Sequence, residues 1–202
     1  MTFARKITII TAASVISLTA CGNSSVAGSE KAAAPESASE PMTTAPSLDG
    51  WGEMSARFVN NDGAEVGEVA FRGTPEGGIL MRIALSGLSE GWHGIHLHQI
   101  GDCSDGAAGF KASGGHVDPE DKEHGLLNPA GPEAADMPNI YAGANGVAAA
   151  EILNPMLSLD AGGPLADADG FAVVVHTGAD DHVTQPIGGA GARVACAAVA
   201  AQ

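Results

Sequence analysis

From Trp51 onward, the apolar and polar positions alternate in short runs with a period of two. Gly78–Ser86 is the clearest: Ile79, Met81, Ile83 and Leu85 fall on one side, Leu80, Arg82 and Ala84 on the other. That alternation is the mark of a strand with one buried face. Ser55–Asn60, Glu65–Arg72, Trp92–Gln99, Val147–Leu153, Phe171–His176 and Arg193–Val199 read the same way. The first two of these flank Asn61-Asp62-Gly63-Ala64, a hairpin turn with a glycine placed for positive φ. At least seven short strands and little helical periodicity predict an all-β fold, a Greek-key antiparallel β-sandwich or flattened barrel.

Two stretches break the pattern. Gly101–Tyr141 and Thr177–Ala192 are rich in Gly, Pro, Asp and His, and long irregular loops within a compact domain are either functional or disordered. Composition agrees with β-structure carrying long loops: 45% of residues are hydrophobic, 4% aromatic, and there are 28 glycines and 11 prolines. Charge changes the picture more. Nine Lys+Arg against 24 Asp+Glu give a formal net charge of −15, which repels phosphates and excludes a nucleic-acid partner.

Residues 1–20 read as an export signal: Arg5 and Lys6 precede a mostly apolar stretch, Ile7 to Leu18, too short to remain in a bilayer as a span. The segment ends Leu18-Thr19-Ala20-Cys21, which resembles the lipobox of bacterial lipoproteins. The resemblance implies lipidation of Cys21 and membrane anchoring at the periplasmic face of a bacterial cell envelope. Gly22 rather than Asp favours the outer membrane by analogy with other lipoproteins. Residues 21–48, rich in Ala, Ser, Pro and Glu, then form a flexible tether, and residues 49–202 form one domain. Setting Cys21 aside leaves Cys103 and Cys196, enough for one disulfide in an exported protein.

The candidate chemistry lies in the histidines. In His96-Leu97-His98 the period of two places both imidazoles on the face opposite Ile95 and Leu97, where they can chelate one metal ion. His116, His124, Glu133 and Asp136 lie in the first loop, and His176 ends a strand. Imidazoles suit copper or zinc, and imidazole with carboxylate suits zinc. A loop holding several ligands needs a metal to organise it.

Taken together, Gly94-Ile95-His96-Leu97-His98, Gly114-Gly115-His116, His124-Gly125, Asp136-Met137-Pro138, Val175-His176 and Gly191-Ala192-Arg193-Val194-Ala195-Cys196 resemble the motif set of copper–zinc superoxide dismutases, most closely the exported bacterial branch. The resemblance spans residues 51–202. It implies that His96, His98, His116 and His176 bind copper, with His116 bridging to a zinc ion completed by His124, position 133 and Asp136. It implies further that Cys103 and Cys196 form a disulfide, that Arg193 stands beside the copper, and that Asp180 links His96 to His124. The reaction implied converts two superoxide anions and two protons to dioxygen and hydrogen peroxide, with His116 carrying a proton. Where the family usually has a third zinc histidine, this chain has Glu133, giving a harder and more anionic site.

Two rivals stand beside a dismutase: a non-catalytic periplasmic copper-binding or storage protein, and a copper-only dismutase with an impaired zinc site. Arg193 argues against the first, and His124 and Asp136 argue against the second. Loss of Arg5 and Lys6 takes the formal charge from −15 to −17, so attraction of an anionic substrate must be local, at Arg193 and the metal, with Lys111 a further candidate cation that the sequence does not place. His93 reads as a hydrogen-bonded structural histidine, His182 as a solvated loop residue, and Trp51 and Trp92 as core or rim residues. A homodimer is among the open assemblies.

Overall fold

The computed structural model describes residues 43–201. The leader, Cys21 and most of the tether lie outside the described residues. Nine strands follow in chain order: β1 (Met54–Asn60), β2 (Glu65–Gly73), β3 (Ile79–Leu85), β4 (Gly91–His93), β5 (Ile95–His98), β6 (Ile140–Ala142), β7 (Ala148–Asn154), β8 (Phe171–His176) and β9 (Arg193–Val199). Among the described residues the only helical elements are two single 3-10 turns, Gly106–Ala108 and Lys111–Ser113, both in the first loop.

β1, β2 and β3 form a meander. Asn60 closes the β1–β2 turn by accepting the amides of Asp62 and Ala64 at its side-chain oxygen, and Gly63 takes φ +80°, as an L side chain rarely does. The β2–β3 register sets Val69 opposite Ile83 and Phe71 opposite Met81, so both buried faces meet on one side. The large sheet runs β5-β8-β9-β1-β2-β3-β7, and β4 pairs with β6 in a separate ribbon. All pairings are antiparallel. β5 and β7 are the edges of the large sheet. The chain passes directly from β4 into β5, and a short turn joins β6 to β7, so the ribbon ties the two edges together and the sheet curls into a flattened Greek-key barrel. The interior packs Phe58, Val69, Phe71, Met81, Ile83, Ile95, Leu97, Phe171 and Val173, among others. Phe71 and Phe171 meet edge to face at 5.4 Å across it.

The expected Trp92–Gln99 strand is two strands, broken at Gly94 where the chain leaves the ribbon for the large sheet. β6 was not anticipated, because three residues are too few to establish a period. Both tryptophans lie on the rim. Trp92 is 56% exposed and pairs edge to face with Tyr141 at 5.0 Å, while Trp51 lies beneath the guanidinium groups of Arg72 and Arg82 at 5.1 and 4.4 Å.

Cys103 and Cys196 are joined in a disulfide with their α-carbons 5.7 Å apart. It sits in a second small core with Phe110, Ala172 and Val174, on the face of β8 and β9 opposite the barrel interior, and fastens the first loop to β9.

Candidate metal centre

β5 is an edge strand, so one row of its backbone groups needs partners from outside the sheet. The first loop supplies them. Val117 donates to the Leu97 carbonyl at 3.0 Å, Gln99 to Gly115 at 3.0 Å and Leu97 to Ala135 at 3.4 Å. Residues 116 and 136 thereby bridge to 98 and 96 respectively. The loop is thus drawn over the face that carries His96 and His98, and both become fully buried. β8 pairs with β5 on the other side, and its last residue is His176.

The four residues expected for copper converge there. One ring nitrogen from each of His96, His98 and His116 lies within 4.8 Å of the others. The His176 ring stands 5.0 Å from that of His96 and 6.5 Å from that of His98, centroid to centroid. On each ring one nitrogen is already engaged. His96 Nε2 pairs with Asp180 at 2.8 Å, His98 Nδ1 donates to the Gly114 carbonyl at 2.9 Å, His116 Nδ1 faces Glu133 at 2.5 Å, and His176 Nδ1 donates to the Gly191 carbonyl at 2.9 Å. The other nitrogens, His96 Nδ1, His98 Nε2, His116 Nε2 and His176 Nε2, are buried without a hydrogen-bond partner. An orphaned buried polar atom is costly. Four of them on neighbouring rings fit an imidazole-liganded transition metal such as copper.

A second set shares His116. His116, His124, Glu133 and Asp136 each bring one donor atom within 4.8 Å of the others. His124 Nδ1 lies 2.6 Å from Asp136 Oδ1 and 3.3 Å from Glu133 Oε2. Two nitrogens and two carboxylate oxygens so placed fit a tetrahedral zinc ion. Asp180 joins the two sets, with Oδ2 on His96 and Oδ1 on His124 Nε2 at 3.2 Å.

The electrostatics of the two sets are opposed. Burial, with the neighbouring His116 and Arg193, lowers His98 to about 2. Burial, against a hydrogen bond to Gly191, lowers His176 to about 4. Burial also lowers His96. These rings are neutral, as metal ligation requires. Burial would lower His124 as well, but Asp136, Asp180 and Glu133 outweigh it and raise this ring to about 11. Burial would raise Glu133, but His116 and His124 hold it down at about 2, and Asp180 is likewise held low by His124 and His96.

Arg193, the first residue of β9, is half-buried. It donates to the Phe110 carbonyl at 2.6 Å, the Ser113 hydroxyl at 3.1 Å and the Gly114 carbonyl at 2.9 Å. Lys111 is exposed on the second 3-10 turn. His93 sets its two ring nitrogens against the carbonyls of His176 and Ser89 at 2.7 and 2.9 Å, a structural position behind the candidate ligand His176. His182 differs from expectation. It is half-buried with φ +63°, and its ring reaches Asn139 at 3.2 Å and Asp180 at 3.5 Å, because the second loop folds onto the first.

Three contributors were not anticipated. Asn139 accepts the Asp180 amide and donates to the Asp180 carbonyl, both at 2.8 Å. Gln185 clasps the backbone of His124 at 3.1 and 2.7 Å. Ser113 lies between Arg193 and His98. Small polar loop residues carry no period or spacing that would single them out.

Comparison with known proteins agrees with this geometry. Residues 65–199 match the family described as copper/zinc superoxide dismutase. A copper–zinc superoxide dismutase of Caulobacter vibrioides is 49% identical over 142 residues, 68% of this chain and 80% of that protein. One from Aquifex aeolicus is 37% identical over 147 residues, 71% of this chain and 84% of that protein. Among solved structures, a SOD-like protein from Bacillus subtilis superposes with a TM-score of 0.68 at 34% identity, covering 72% of this chain and 97% of that one. The Brucella abortus enzyme gives 0.58 at 29% identity, covering 72% and 97%. Sequence match, barrel and paired ligand sets lead to one conclusion: the chain belongs to the copper/zinc superoxide dismutase family.

Proposed function

We propose that this chain disproportionates superoxide, with copper held by His96, His98, His116 and His176, and zinc by His116, His124, Glu133 and Asp136. The observation that carries the reading is the set of four buried imidazole nitrogens without partners, on neighbouring rings beside a guanidinium. When bound, copper supplies one-electron redox chemistry, and zinc supplies a fixed charge that does not change oxidation state. The protein's own groups do the rest. Arg193 gives a localised positive charge for an anionic substrate in a chain whose net charge is −15. His116, with Nδ1 directed at Glu133 and Asp136, has Nε2 left to hold and release a proton. Asp180 and Asn139 fix the orientation of His96 and His124.

The test is the rate of superoxide decay with the copper-loaded chain. Arg193→Ala should slow decay while copper stays bound, Arg193→Glu should slow it further, and salt should slow the wild type. A chain that holds copper without accelerating decay would be a storage protein, and equal rates in wild type and both variants would remove Arg193 from the reaction.

We infer further that the protein is exported and anchored through lipidated Cys21 at the periplasmic face of the envelope. The charged, apolar and lipobox-like parts of residues 1–21 support this. Cys21→Ser should leave an unprocessed precursor, and a wild-type protein without lipid mass would contradict it. The exposed Trp92–Tyr141 pair supports a homodimer, which sedimentation of the purified chain decides.

A further inference from the structure

Ser113 is fully buried and belongs to neither ligand set, yet it occupies the gap between them and Arg193. It closes the 3-10 turn Lys111–Ser113, which begins after Phe110 in a left-handed conformation at φ +54°. Phe110 is held there by its packing with Cys103, Cys196 and Val174. The turn is therefore fixed at its start by the disulfide core and at its end by the bond from His98 to Gly114.

Donors and acceptors around the Ser113 hydroxyl can be assigned one by one. Its own proton goes to the Phe110 carbonyl at 2.8 Å. Its lone pairs are left for the Arg193 guanidinium at 3.1 Å and face His98 Nδ1 at 3.4 Å. The Gly114 carbonyl, one residue on, is shared by the same two side chains at 2.9 Å each. A single turn thus fixes the guanidinium relative to the imidazole whose free Nε2 points to the copper set. Without the hydroxyl, Arg193 keeps two carbonyl acceptors but loses the one that a side chain supplies.

We propose that Ser113 is a positioning residue for superoxide disproportionation: it sets the distance between the anion-docking guanidinium of Arg193 and the copper ligand His98. The inference rests on Arg193 docking the substrate anion. Because Arg193 keeps its two carbonyl acceptors, only part of one hydrogen bond to a charged group is lost to anion binding, about three- to tenfold in affinity.

The test uses azide, a small anion that binds copper, titrated spectroscopically against the copper-loaded full chain of wild type, Ser113→Ala, Arg193→Ala and the double variant. Ser113→Ala should retain copper and bind azide about three- to tenfold more weakly. In the Arg193→Ala background the same substitution should have no further effect, because a residue acting through Arg193 has nothing left to position. Unchanged azide affinity in Ser113→Ala, loss of its copper, or an equal loss of affinity in both backgrounds would overturn the proposal. Unchanged affinity in Arg193→Ala alone would instead overturn the docking role on which it rests.

Discussion

The metal-free protein should be acid-sensitive well above the pH at which carboxylates titrate. In the metal-free chain His96, His98 and His176 are buried and held neutral, His98 down to about 2 and His176 to about 4 from an ordinary value of 6.5. An unfolded chain protonates all three near 6.5, so below that pH the unfolded state binds more protons and stability falls with acidification. His124, raised to about 11, is protonated in the fold throughout this range while the unfolded chain takes up its proton only near 6.5, so it favours the fold as pH falls to that value and its contribution is lost as pH rises toward 11. Glu133, lowered to about 2, stabilises the fold above its ordinary value and loses that effect only as pH falls from about 4.5. Between pH 7 and 5.5 the three neutral rings therefore act against His124. His98 and His176 together cost about 2.5 kcal/mol over that interval and His96 acts in the same direction, while His124 offsets somewhat under about 1 kcal/mol, so that about 2 kcal/mol is lost, a sizeable part of the usual stability of a domain. Urea unfolding of chelator-stripped protein at the two pH values, followed by tryptophan fluorescence under non-reducing conditions, measures this directly. The metal-loaded protein should start from a much higher stability and slope in the same direction, because a metal-bound ring nitrogen takes up no proton in the fold while the unfolded chain still does. A stripped protein as stable at pH 5.5 as at pH 7 would refute the burial argument.

Three further outcomes are expected. Glu133→Ala should lower zinc affinity by at least about a hundredfold with copper retained, and Glu133→His should keep zinc; equilibrium dialysis against a competing chelator checks both, and equal zinc in wild type and Glu133→Ala would show that the carboxylate is no ligand. Replacing Cys103 and Cys196 together by serine should cost about 2–5 kcal/mol in urea unfolding, since the bridge spans 93 residues of chain, and it should loosen the turn that holds Arg193. Gly125→Ala should destabilise the loops by about 1–3 kcal/mol and weaken zinc retention, because Gly125 has φ +121°, an added Cβ would overlap the His182 carbonyl, and its amide donates to Asp136 at 2.7 Å; zinc analysis and a melting curve read both effects.

How much of this was legible in the sequence depends on the range over which each feature is determined. β3 could be read at once, because Ile79, Met81, Ile83 and Leu85 are buried by a face that the chain's own alternation specifies. The break at Gly94 could not, since it reflects a transfer between two sheets and not a change in local preference. The His96–His98 pair was visible because a strand's pleat alone sets their common face. Their burial was not, because it follows from β5 lying at a sheet edge, which only the partners of β8 and the return of the first loop decide. The least legible residues are those that orient others. Asn139 reaches Asp180 across 41 residues and Ser113 reaches Arg193 across 80, and an asparagine or serine in a glycine-rich loop has no pattern to distinguish it from a solvated neighbour. Candidate metal ligands, in contrast, come from a short list of side chains, here histidine and carboxylate, whatever the path of the chain. That restriction is why Glu133 could be proposed as a ligand even with the usual side chain replaced, while the hydroxyl and amide groups around the histidines emerge only once the loops are folded over β5.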